Sequence, residues 1–215
     1  MTKNSDKIKL LLEFLHQTFP NAKCALTYSK DYELVIAVVL SAQTTDKAVN
    51  KVTPILFYHF DSLEKISKAS VQDIENDIRS IGLYRNKAKN IKAIAEMIVN
   101  DFDSVVPWES KKLLRLPGVG NKTKNVIQAE LFKIHSIAVD THVERIAKRL
   151  GLAKANDVPD TVEAKLKKVM EPKDYILANH QIITFGREIC KARNPNCSIC
   201  SLQKICDYFK TKNQK

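Results

Sequence analysis

Four of the chain's five cysteines crowd into one short stretch: Cys190, Cys197, Cys200 and Cys206, with six, two and five residues between successive members. Cysteines buried for packing do not gather in one loop, so this spacing points to a metal site. Four thiolates suit tetrahedral zinc or an iron–sulfur cluster. The spacing matches neither common ferredoxin pattern and resembles a zinc ribbon only loosely, so donor chemistry alone leans slightly to zinc. Lys191 and Arg193 lie in the loop between the first two cysteines. Pinned by a metal, they are placed to meet phosphates; the plainer alternative is that they are merely solvated. Cys24 stands alone and reads as a small packed side chain.

A second constellation is Leu116-Pro117-Gly118-Val119-Gly120-Asn121-Lys122-Thr123. Of the five glycines in the chain, two flank Val119 here. Glycine reaches φ > 0 and lets another molecule approach the main chain, so the backbone itself is in use. Pro117 tends to end a preceding helix, and 123–132 reads as a second one. The stretch predicts helix, tight hairpin, helix, with backbone N–H groups and the positive end of the helix dipole making an anion site. Lys122 falls in the first turn of that second helix, where a cation is electrostatically disfavoured. A lysine misplaced for stability asks for a functional use. An ordinary helix corner with solvated lysines fits these residues equally well.

The third is Ile137-Ala138-Val139-Asp140-Thr141-His142, an apolar approach ending in a carboxylate just before a helix. Asp140 fits an N-cap, the commonest task for Asp in such a place. However, Thr141 with Glu144 already makes a complete capping box, which would leave Asp140 outside the helix with its carboxylate free. His142, near a helix start, reads as structural or as a phosphate contact.

These residues need elements to position them, and the pattern predicts helices throughout. Ser5 is a cap for a first helix carrying Ile8, Leu11, Leu12, Leu15 and Phe19, with Pro20 beyond its end. The run Leu34 to Leu40 has strand-like residue types, but nothing else in the chain offers it a strand partner, so it reads as a buried helix. The pattern over 45–60 tolerates Pro54 only with a kink or break. Ser70 caps a helix to Ile81 that stops at Gly82. Further helices are expected over 84–102, rich in base at Arg85, Lys87, Lys89 and Lys92, over 109–116, from Thr141 to Gly151, and over 161–170 and 173–187. Trp108 reads as core. The fold class is all-α, with short helices joined by tight turns.

Lys and Arg exceed Asp and Glu by 35 − 24 = 11, which suggests a polyanionic partner such as nucleic acid or an acidic membrane surface. The N-terminus has no apolar signal-peptide core, and the longest apolar run is too short to span a bilayer. A cytosolic location is expected, and there disulfides are uncommon.

Leu116 to Thr123, then Val139-Asp140-Thr141-His142, then the Cys-x6-Cys-x2-Cys-x5-Cys tail together resemble the endonuclease III family of DNA glycosylases. Leu40 to Asp46 and Ile81-Gly82-Leu83-Tyr84 add to the likeness, which covers the chain from about Asp31 to Cys206. The resemblance implies an all-α helix–hairpin–helix DNA glycosylase fold, with two helical domains flanking a DNA-binding cleft. One domain would span 24–134 and hold the hairpin; the other would join 1–23 to 135–215 and carry a 4Fe–4S cluster, overturning the lean to zinc. By this likeness Lys122 is the nucleophile and Asp140 its catalytic partner across the cleft. Gln43 and Leu83 enter the duplex where a damaged base is flipped out, and Gly118 and Gly120 present backbone to a phosphate strand. Lys124 stands where the family usually has Ala, and Asn121 where it often has a basic residue.

The implied activity is a bifunctional glycosylase and AP lyase of base excision repair, acting on oxidised or ring-saturated pyrimidines in double-stranded DNA as a cytoplasmic, nucleoid-associated monomer. Lysine attacks a sugar carbon only as a neutral amine, the form that a helix N-terminus and partial burial favour. Two alternatives compete. A monofunctional mispair adenine glycosylase would lack the hairpin lysine and usually carries an extra C-terminal domain. A non-catalytic helix–hairpin–helix DNA-binding protein leaves Lys122 and Asp140 without a use.

Overall fold

From Tyr32 to Leu40 every residue is buried, and the segment is a helix, α2 (Asp31–Leu40). A helix apolar on all sides can only stand at the centre of a core. Glu33 turns back in its first turn, and its Oε2 accepts from the Ser29 and Lys30 amides at 2.7 and 3.2 Å. This computed structural model describes residues 3–212, and no strand occurs among them. The described residues form two compact units, one of Cys24–Phe132 and one joining those up to Lys23 with those from Lys133 onward.

The first unit packs around α2. Its other helices are α3 (Asp46–His59), α4 (Leu63–Lys68), α5 (Val71–Ile78), α6 (Tyr84–Asp101), α7 (Ser110–Leu113) and α8 (Asn121–Phe132). Thr45 caps α3 and Ser70 caps α5, their hydroxyls accepting from Ala48 and Asp73 amides at 3.3 and 3.1 Å. On α6 the stripe Ala88, Ile91, Ile94, Ala95 and Ile98 is fully buried. Lys92 on that helix donates to the carbonyls of Ser67 and Ala69 at 2.7 and 2.9 Å, satisfying the open end of α4.

The second unit holds α1 (Lys3–Thr18), α9 (Thr141–Arg149), α10 (Pro159–Lys167), α11 (Tyr175–Glu188) and α12 (Asp207–Lys212), with single 3₁₀ turns at Pro172–Asp174, Cys197–Ile199 and Gln203–Ile205. Phe14 and Phe185 meet edge-on at 5.2 Å and join α1 to α11. Lys7, 5 % exposed, clasps three segments: its Nζ lies 2.5 Å from the Leu150 carbonyl and 2.9 Å from both Asp207 oxygens. Gly151, at φ 72°, ends α9 with amides 151 and 152 bonded back to Lys148 and Ala147.

The structure departs from the sequence expectations in several places. Helix α1 is already under way at Lys3, so Ser5 is not its cap. Helix α3 runs unbroken through Pro54, with the Asn50 carbonyl losing its helical partner. Helix α5 ends at Ile78 rather than Ile81, and only Ser110–Leu113 of 109–116 is helical. Trp108 is 58 % exposed rather than core; its carbonyl accepts from Gln128 Nε2, which also bonds Ser110 Oγ, tying α7 to α8. Helices α4 and α12 were not expected, because neither shows more than one or two turns of periodicity.

Candidate active site and iron–sulfur centre

The hairpin is built by Gly118, whose φ of 78° is closed to other residues at low cost. A Cβ there would lie 2.9 Å from Asn90 Nδ2 and 3.2 Å from Val39 Cγ1, so the turn sits directly on α6 and α2. Leu116 and Val119 are buried on either side. Gly120 differs from the expectation of positive φ at both glycines: its φ is not in that range, and a Cβ would meet nothing. Its carbonyl accepts the first bond of α8, from the Lys124 amide at 2.9 Å, which makes Gly120 the helix's entry point. Lys122 is in the first turn of α8 and is exposed, against the expected partial burial. Its amine therefore stands open to an approaching molecule, at a helix end that favours anions.

The two glycines separate stability from binding. Gly118→Ala should destabilise the hairpin by about 1–2 kcal/mol for the left-handed backbone alone, with the Asn90 contact adding to it. Gly120→Ala should leave thermal unfolding nearly unchanged, since its Cβ would meet nothing in the protein, so that any fall in affinity for a ligand would report contact at this position. Melting curves beside fluorescence-anisotropy titrations check both.

Asp140 is itself the N-cap of α9: its Oδ1 accepts from the His142 and Val143 amides, both at 2.9 Å. This corrects the capping-box expectation. Thr141 is the exposed first helical residue, and Glu144 pairs instead with Lys148 at 2.5 Å. Capping leaves the second oxygen engaged sideways, with Oδ2 2.9 Å from His142 Nδ1. Burial opposes ionisation of Asp140, but the hydrogen bonds from His142 and Val143 outweigh it, and the carboxyl is held below the usual carboxylate range. The segment leading in, Ile137 to Val139, is buried and pinned by Asn179 of α11, whose Oδ1 accepts the Ala138 amide at 2.9 Å.

The other end of α9 reaches the cysteines. Arg145 donates to the Gly186 carbonyl at 2.9 Å and to the Cys190 carbonyl at 3.1 Å. Arg149 donates to the carbonyls of Lys191 and Ala192 at 2.8 and 3.0 Å, lies 3.2 Å from Cys190 Sγ, and stacks 4.5 Å from the Tyr208 ring centroid. The backbone of the 190–193 loop is thus held from beneath while Lys191 and Arg193 remain exposed. Neither arginine was singled out from sequence. A signal existed: three basic residues, Arg145, Lys148 and Arg149, fall in one short helix that precedes the cysteine loop.

Cys190, Cys197, Cys200 and Cys206 line one recess, walled by Ile146, Leu150, Phe185 and Leu202. Among the described residues no three Cys, His, Asp or Glu side chains form a group that could hold a single metal ion. Four cysteines lining one recess supply the donor set that a tetrahedral zinc or an iron–sulfur cluster takes. Burial pushes the Cys200 and Cys206 thiols up, so a charged metal group is what would bring them to thiolates. Cys24 is in the hairpin unit, half-buried, its thiol pushed up by burial to about 11.

Gln43 and Leu83 share an uncommon property. Both are exposed and both are in the left-handed region, at φ 53° and 60°. Such strain in non-glycine residues is concentrated at functional positions. Both belong to the hairpin unit with Lys122, whereas Asp140 and the cysteines belong to the other.

The sequence matches the family model described as "HhH-GPD superfamily base excision DNA repair protein" over residues 36–172. The iron–sulfur binding domain of endonuclease III matches residues 190–206, bounded by the first and last clustered cysteines. The chain is 42 % identical to endonuclease III of Bacillus subtilis (strain 168), over 99 % of this chain and 97 % of that one. It is 43 % identical to endonuclease III of Rickettsia conorii, over 94 % and 96 %. Among solved structures, a trapped endonuclease III–DNA covalent intermediate superposes with a TM-score of 0.94 at 42 % identity, covering 99 % of both chains. A non-covalent endonuclease III–DNA complex gives 0.95, also at 42 % identity, covering 100 % of both. The lean to zinc is overturned: the cofactor is a 4Fe–4S cluster. With this hairpin, this cysteine recess and full-length likeness, the chain belongs to the endonuclease III family of the HhH-GPD superfamily of base excision DNA repair proteins.

Proposed function

We propose that Lys122 is the nucleophile and Asp140 its acidic partner in the DNA glycosylase and AP lyase activity of this family member. The observation that carries the reading is an exposed lysine at the N-terminus of α8, two residues beyond a glycine whose Cβ position is open. Lys122 Nζ attacks C1′ of the damaged nucleotide, the glycosidic bond breaks, and the base leaves with the bonding pair and takes up a proton. Ring opening at O4′ gives the Schiff base. Loss of a C2′ proton then expels the 3′ oxygen and cuts the strand on that side. Asp140, held ionised by its cap bonds, stabilises positive charge growing on the sugar and accepts a proton from the amine. Oxidised or ring-saturated pyrimidines are the fitting substrates because they unstack cheaply. Gln43 and Leu83 fill the space in the duplex, Gly118 and Gly120 meet the phosphate strand, and the protein acts as a cytoplasmic, nucleoid-associated monomer. Among the described residues no helix is long and apolar enough to cross a membrane.

Cys190, Cys197, Cys200 and Cys206 would hold the cluster, which when bound pins the 190–206 loop and takes no part in the bond changes. Borohydride added during turnover on a damaged duplex should trap a covalent adduct that peptide mapping assigns to Lys122. No adduct, or one elsewhere, sinks the assignment. For the loop, Arg149→Met should loosen the backbone that presents Lys191 and Arg193. Duplex affinity should fall, and the slope of log K against log salt should shrink by about one to two. An unchanged slope would return both cations to the solvated alternative.

A further inference from the structure

Lys87 is 4 % exposed, and its only polar side-chain partner among the described residues is the Thr44 hydroxyl, 2.6 Å from Nζ. No carboxylate among the described residues pairs with it, and burial pulls its pKa down. A buried ammonium with one hydroxyl acceptor is poorly compensated, and a methionine of similar length would suit the apolar stripe Ala88, Ile91 and Ile94 better. Stability therefore gives no reason for a lysine here.

Its position does. Thr44 follows Gln43, and its hydroxyl also reaches the Ala42 carbonyl at 3.4 Å, so the contact brackets Gln43. The Lys87 amide donates to the Leu83 carbonyl at 3.0 Å. One residue thus binds beside both strained positions, each at the entrance of a different helix: 41–45 before α3, Leu83 at the start of α6. We propose that Lys87 is a positioning residue that holds the Gln43 and Leu83 loops in mutual register, so that both side chains enter the duplex together. This rests on the reading that Gln43 and Leu83 enter the duplex.

The test uses the cluster-loaded enzyme and duplexes carrying 2-aminopurine beside a damaged pyrimidine, whose fluorescence rises when the stack is opened. Gln43→Ala and Leu83→Ala examine the underlying reading. If both leave the fluorescence at the wild-type level, that reading falls and takes this inference with it. If they lower it, Lys87→Met and Thr44→Val decide. Each is expected to lower the fluorescence rise and to cut kcat for base excision by about 10-fold or more. Schiff-base trapping on a preformed abasic site, where less unstacking is needed, should stay near wild type. Iron content and melting temperature should be unchanged or, for Lys87→Met, higher. The double variant should be no worse than either single, and Thr44→Ser, which keeps the hydroxyl, should restore activity. Wild-type fluorescence and excision from Lys87→Met and Thr44→Val would overturn the proposal while leaving the wedge reading intact. Should Lys87→Met fail to fold, Thr44→Val alone decides on the same terms.

Discussion

Lys122→Ala should abolish the borohydride-trapped adduct and strand cleavage at abasic sites, and slow base release by about 10³-fold or more, as loss of a covalent nucleophile does. Stability should move the other way. Lys122 is exposed in the first turn of α8, where the helix dipole disfavours a cation. Removing it should be neutral or stabilise by about 0.3–1 kcal/mol. This opposite sign is the diagnostic part. A merely solvated lysine at the same helix end would show the stability gain without the loss of activity, and a lysine kept for packing would cost stability when removed. Only a group held at a poor electrostatic position for its chemistry gains stability and loses function together. Duplex binding should weaken by little more than one phosphate contact's worth, so anisotropy separates a binding defect from a chemical one. A trapped adduct in Lys122→Ala would move the nucleophile to another amine.

How much of this was legible in the sequence depends on how local each cause is. The hairpin was, because Gly118 and Pro117 dictate a turn through their own backbone limits. Helix α2 was read correctly despite strand-like residues, since the rest of the chain offered no partner for a strand. Capping was less legible. Asp140 and Thr141 can each cap a helix that begins within one residue of them, and only the three-dimensional path decides. That path is set from a distance, by Asn179 on α11 holding the Ala138 amide. Burial of Lys122 was misjudged because exposure at a helix end depends on which elements pack over it. Lys87 could have been found: it occupies the i position of an apolar stripe continued by Ile91, Ile94 and Ile98. It was read instead as one of several bases on a helix face. The corrected Asp140 assignment does not weaken its proposed role. A cap bond fixes the carboxylate's orientation more firmly than a free side chain would.

That double duty makes Asp140 the more informative of the two substitutions. Asp140→Asn should retain the cap, because Asn is as good as Asp at this position. The Oδ1 bonds to the His142 and Val143 amides can form with an amide oxygen, so melting temperature should fall little. Excision should nonetheless slow by about 10²–10⁴-fold, since an amide neither accepts the amine's proton nor stabilises positive charge on the sugar. Asp140→Ala should lose the same activity and an additional ~1 kcal/mol with the cap. The pair thus separates capping from chemistry: equal rate losses with unequal stabilities support both duties. A wild-type rate in Asp140→Asn would leave Asp140 a cap alone. The pH dependence has a fixed sign. Cap and histidine bonds hold the Asp140 carboxyl below its ordinary range, so its ionised form stabilises the fold above a free carboxylate's pKa of about 4. That contribution is lost as pH falls through the depressed folded value. The stability gap between wild type and Asp140→Asn should therefore be widest at neutral pH and close in acid, whereas the gap between Asp140→Asn and Asp140→Ala, which rests on the neutral cap bond, should persist.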